Sequence, residues 1–221
     1  MPKRQRVLGK DGRVGRAPNT HASMNIFVLH RSPVISAQMA CDKHVVKMIL
    51  ETAQMLSTVA RDKHGILGSV KYLDKEGNVK TRERPLISAL GEYSGMWEHE
   101  RNPNVYWDVH HKHPCTTWTG ENSANWAWLC KHGIALAKEY TFRYGKTHSS
   151  ETVIRTIYRK RLGPKGIIWL TGQTPFAQAM PDQYKNSDPV KAYRDYYIGE
   201  KHEFARWTKR DTPKWWREAV L

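Results

Sequence analysis

Acidic residues are scarce in this chain. It carries 21 Asp and Glu against 36 Lys and Arg, a formal charge of +15. That balance argues against an ordinary near-neutral metabolic enzyme and favours polyanionic partners, nucleic acid first. Long apolar runs are missing too. Nothing approaches the roughly 18 apolar residues of a membrane span. The basic N-terminus has no apolar stretch behind it, so neither a secretory signal nor a membrane-bound amphipathic helix is expected there. Cys41, Cys115 and Cys130 are too few and too scattered for a disulfide framework, which sets the expectation of a reducing, intracellular compartment. Three motifs are absent: the G-x-x-x-x-G-K-[ST] phosphate loop, the G-x-S-x-G elbow and a strand followed by G-x-G-x-x-G. Their absence argues against P-loop kinases, α/β-hydrolases and dinucleotide-binding folds.

Hydrophobic residues make up 39% of the chain, enough for a core. Residues 24–221 read as one mainly α domain with a minor β element. The pattern predicts a short strand over Asn25 to His30. A helix then starts at Pro33 behind a Ser32 cap and runs to about Arg61. A hairpin follows over Val70 to Thr81, turning at Lys75 to Asn78. Pro85 opens a shorter helix with Leu86, Leu90, Tyr93 and Trp97 on one face. Residues 101–118 read as irregular. Further helices are expected from Glu121 to Tyr144, closed by Gly145, from Ser149 or Ser150 to Leu162, and from Asp188-Pro189 to near Lys209. Ile167 to Leu170 reads as a second short strand. Residues 1–23 hold six Lys and Arg against Asp11 alone, with Gly9, Gly12, Gly15 and Pro18, and read as a disordered basic tail.

The first long helix carries a polar ribbon on an otherwise apolar surface. At 100° per residue, Lys43, His44, Lys47, Glu51, Gln54 and Thr58 fall inside one arc of roughly 100°. An acid, an amine and an imidazole along one line of a buried helix suit an acid/base site. Glu51 is the candidate carboxylate, Lys47 the amine and His44 the proton donor. The alternative is structural, since Lys47 and Glu51 have ordinary helix ion-pair spacing.

The basic surface has local structure of its own. From Thr152 to Pro181 there is no Asp or Glu, while Arg155, Arg159 and Lys160 share overlapping helix faces. The last long helix interleaves Arg194 and Lys201 with Tyr193 and Tyr196. Cations pair with phosphates and aromatic faces stack on bases, so these residues, with Lys43, Arg143 and His148, form the candidate nucleic-acid contacts. Trp118 and Trp126 are the candidate base-stacking residues, with core packing as the alternative. DNA is favoured over RNA as the partner, and no cofactor is expected.

A metal reading is the weaker alternative. His110, His111 and His113 would be its ligands in a metal-dependent nuclease. Cys41 and His44 with His113 and Cys115 would form a zinc set, though H-x-C is poor spacing for one ion.

Several segments carry a resemblance: Met24 to Phe27, Asp42 to Met48, His113-Pro114-Cys115 with Trp118, Glu139-Tyr140 with Arg143 to Lys146, Thr174 to Pro181, and Tyr193 to Tyr197. Together they resemble a family of small proteins of tailed bacteriophages, over about residues 24–216. The resemblance implies a phage setting, and so the host-cell cytoplasm, but no reaction. Phage genomes are rich in DNA-repair and base-modifying enzymes, an association only. The leading expectation is a metal-independent, glycosylase-like enzyme acting on DNA bases. A non-enzymatic binding protein used in packaging, transcription or inhibition of host defence is the alternative.

Overall fold

In a computed structural model the described residues are 24–100, 105–165 and 172–220, with the backbone of a two-residue ladder pairing β1 (Val7–Leu8) and β2 (Val14–Gly15). The rest of the basic tail and the strand expected at 167–170 lie outside the described residues. The fold is mainly α with a small antiparallel hairpin. Among the described residues there are seven α-helices: α1 (Pro33–Met39), α2 (Asp42–His64), α3 (Pro114–Glu121), α4 (Ser123–Tyr144), α5 (Ser150–Arg159), α6 (Pro189–Lys201) and α7 (Lys214–Val220). The hairpin is β3 (Ile66–Leu73) and β4 (Val79–Leu86).

The helix starts follow local chemistry. Ser32 Oγ accepts Ile35 N–H at the head of α1, and Asn122 Oδ1 accepts two N–H groups at the head of α4. Asp188 caps α6 through Val190 N–H. Such caps satisfy the otherwise unpaired first-turn donors. Gly145 closes α4 at φ 66°, a left-handed conformation that glycine adopts without penalty.

Residues 114–118, expected to be irregular, form the start of α3. Four further expectations are corrected. The helix expected from Pro33 to Arg61 is two helices, broken by extended Ala40 and Cys41. Asp42 forces the break: its N–H donates to Arg206 O, and its carboxylate accepts Thr208 N–H and Oγ1–H and pairs with Arg143. Met24 to Leu29 is buried but is not a strand. Its polar backbone groups bond side chains instead: Asn25 N–H to Glu51, Leu29 N–H to Ser36 Oγ, and Phe27 O from that same hydroxyl. Phe27 sits at φ 40°, outside any strand conformation. Pro85 lies within β4 opposite Leu67, not at the head of a helix, and only a 3-10 turn, Ser88–Leu90, follows. Finally, α6 stops at Lys201 rather than near Lys209, and α7 follows after a break.

The core lies between α2 and α4, with α1, α3 and α5 packed around them. At Gly133 a Cβ would stand 2.6 Å from Thr52 Cγ2 and 2.9 Å from Ile154 Cδ1, so only glycine permits this approach of α4 to α2 and α5. A second, small cluster of Val70, Leu86 and Met96 anchors the hairpin, with Trp107 against it. Between the two clusters lies Arg61, fully buried, which donates to both Glu92 oxygens and to Pro85 O and Tyr106 O. Among the described residues no helix is long and apolar enough to cross a membrane.

Candidate functional site

The ribbon on α2 divides in two. Lys47 and Glu51 form one part. The Glu51 side chain is 9% exposed, and Lys47, one turn earlier, is 50% exposed. One Glu51 oxygen takes the Lys47 ammonium at 2.9 Å and the other takes Asn25 N–H at 3.0 Å. Asn25 is itself fixed, its amide donating to Ala179 O. A carboxylate is therefore held just beneath the surface, with its cation at the solvent edge. Cys115 lies close enough to feel its charge. Its thiol is pushed up to about 12, by burial above all, and stays protonated.

Further along α2, Thr58 and Asp62 continue the line, 7 and 11 residues beyond Glu51. They line a cleft of about 300 Å³ with His111, Thr116, Thr117 and Glu121. Thr58 Oγ1 also ties the segment before His111 to α2, bonding both Val109 O and Val109 N–H. Thr116 Oγ1 touches Met24 Sδ, next to the segment that holds Glu51. Glu121 accepts from Thr174 Oγ1 and Asn125 Nδ2. The cleft thus offers hydroxyls, two carboxylates and a histidine, close to the volume of small ligand sites.

His44 does not join this group. Its ring is buried, stacked on Phe27 at 4.1 Å, and its Nδ1 bonds the Tyr197 hydroxyl. Burial, helped by Lys201, Lys47 and Lys43, pushes its pKa down to about 3. There is no imidazolium near neutral pH to act as the proton donor.

Several residues expected to touch nucleic acid are instead structural. Arg143 is buried and donates to Glu139, Asp42 and Gln38 O. Tyr193 is fully buried, with its hydroxyl donating to Ala177 O. Trp118 packs against Phe176 and Trp128, and Trp126 lies against Tyr158. Neither indole is free to stack on a base. Arg194 donates to Leu29 O and lies over Trp215. Lys201 and Tyr196 are spent on each other. His148 is half-buried and accepts Ser150 N–H at the head of α5. Arg155 pairs with Glu151. Lys43, Arg159 and Lys160 remain exposed, Lys43 above the Phe204 ring.

The histidine segment is not assembled as a ligand set. His113 Nδ1 accepts Cys115 N–H at the head of α3, His111 pairs with Asp108, and His110 turns outward at φ 55°. Cys41 and Cys115 are buried and free, and Cys41 is the N-cap of α2. Among the described residues no three of His, Cys, Asp or Glu gather closely enough to hold a metal ion.

Asp62 joins the site by a signal present in the sequence, since it stands four residues beyond Thr58 on the same line of α2. Asn25 carries no such signal, because it acts through its backbone N–H. Compared with protein-family models, curated proteins and solved structures, the chain has no match.

Proposed function

We propose that this protein processes bases in DNA, with Glu51 as its working carboxylate and Lys47 as the partner amine. The observation that carries this reading is the placement of a buried carboxylate beside a half-exposed ammonium. In glycosylase chemistry the bond from the sugar anomeric carbon to the base nitrogen breaks, and the base leaves with the electron pair. A carboxylate stabilises the positive sugar, then takes a proton from the water that adds to that carbon. Alternatively the amine, once deprotonated, bonds to that carbon as the base leaves; the bond from the carbon to the ring oxygen then breaks, the oxygen takes the amine's proton, and the opened sugar is held as an imine. Either route needs a nucleotide turned out of its stack. The cleft at Thr58, Asp62 and Thr117 is the candidate receptor for it. The formal charge of +15 supports a polyanionic partner, and Lys43, Arg159 and Lys160 are the exposed cations we assign to phosphates. The setting we propose is the cytoplasm of a phage-infected host.

A screen on labelled DNA containing damaged and modified bases tests this, with chelator present and with alkali added afterwards. Alkali-dependent, chelator-resistant strand breaks are the expected result. Chelator-sensitive breaks would contradict it.

The second reading is a binding protein without chemistry. Its support is that both Glu51 oxygens are already engaged, as in a structural pair. Tight, salt-sensitive binding with no product would favour it.

A further inference from the structure

A groove of about 420 Å³ runs between α1 and α4 and shares no residue with the site above. Its floor is apolar, from Val34 on α1 and Ile134 and Phe142 on α4. Val34 is 49% exposed and Phe142 47%. Single exposed apolar side chains need no explanation, but a lined groove of them does. The rim is cationic. Lys131 and Lys138 are exposed and line the groove, and among the described residues neither is ion-paired. The carboxylate that does line it, Glu139, is already held by Arg143 and Arg210.

The spacing is helical. Lys131, Ile134, Lys138 and Phe142 recur every three or four residues, so they form one stripe of α4. Lys131 and Lys138 are two turns apart, about 10 Å along the axis. Carboxylates two turns apart on a second helix match that spacing.

We propose that this groove docks an amphipathic helix of a partner protein. Its apolar stripe would lie on Val34, Ile134 and Phe142, and its acidic flank against Lys131 and Lys138. Helix-in-groove recognition of this kind uses apolar anchors at i, i+4 and i+7.

The test uses the full chain and a fluorescent synthetic peptide of about four helical turns. The peptide carries Leu at i, i+4, i+7 and i+11, flanked by Glu. Micromolar binding is expected. A double Lys131→Glu, Lys138→Glu variant should bind at least about tenfold more weakly, because like charges then face each other. A peptide with Lys in place of Glu should regain binding to that variant. Val34→Asp should also lose the Glu peptide. Circular dichroism and thermal melting check that each variant is folded. Equal binding of a scrambled peptide of the same composition would mean general capture of anions and overturn the proposal. So would no binding, or binding indifferent to charge reversal. Saturable binding of dodecanoate without binding of the peptide would assign the groove to a lipid-like ligand and overturn it equally.

Discussion

Lys47 Nζ and Glu51 Oε1 lie 2.9 Å apart on successive turns of α2, the amine half in water and the carboxylate almost out of it. An exposed pair at this spacing contributes a few tenths of a kcal/mol. This pair differs because the Asn25 N–H fixes the second oxygen. Lys47→Met therefore removes the carboxylate's cation but leaves its position. In the proposed enzyme it should cut turnover by at least about tenfold, and by more if the amine is the nucleophile. Trapping with borohydride separates the two routes. A covalent DNA adduct in the parent protein that is lost in Lys47→Met assigns the nucleophile. No adduct leaves Glu51 to activate water.

Arg61 and Glu92 form a fully buried pair with two hydrogen bonds, at 2.9 and 3.0 Å. Removing one charge strands the other. Glu92→Gln should destabilise the fold by about 3 kcal/mol, measured by urea unfolding. A double replacement by Met and Leu should cost more than Glu92→Gln alone, because it also leaves Pro85 O, Tyr106 O and the Ile87 N–H without their partners. A smaller cost for the double change would contradict the account of this network.

His44 and His132 are held neutral by burial, at about 3 and about 4. In the unfolded chain both rings take up protons near pH 6.5. Between these values the unfolded state binds more protons, so stability falls as pH falls. Each ring contributes up to about 1.4 kcal/mol per pH unit in that window. His132→Phe should flatten the stability profile between pH 6.5 and about 4. An unchanged slope would contradict the burial argument.

Cys41, Cys115 and Cys130 are free and buried, and burial raises all three thiols. The native protein should resist alkylation at neutral pH, and unfolding should expose all three to modification, read by mass spectrometry. Rapid labelling of the native protein would contradict this packing.

Lys43 is exposed, whereas Arg143 is consumed by Glu139 and Asp42. Lys43→Ala should reduce the salt dependence of DNA binding by about one counterion. Arg143→Met should lower the melting temperature by several degrees and leave the salt slope of the folded protein unchanged. The reverse pattern would restore Arg143 to the nucleic-acid surface.

Local signals were legible in this chain and distant ones were not. The caps at Ser32 and Asp188, the Gly145 stop and the turn of the hairpin follow from a few neighbouring residues, and so does the mainly α fold. The arc holding Lys47, Glu51 and Thr58 follows from helical period alone. The break before Asp42 does not, because its cause is Arg206, Thr208 and Arg143, far along the chain. For the same reason His44 reads as a reactive group. Phe27 and Tyr197, which bury it, come from other segments. Arg143, Tyr193, Trp118 and Trp126 carry the residue types of a nucleic-acid surface, and only packing reveals them as core.

Glu51→Gln separates a working carboxylate from a structural one. Gln keeps the acceptor for Asn25 N–H and removes the charge. Turnover and binding are measured on the same DNA, chosen as the base lesion that the parent protein excises. The account predicts loss of excision with DNA affinity within about twofold of the parent. A Glu51→Gln protein that still excises the base would contradict it.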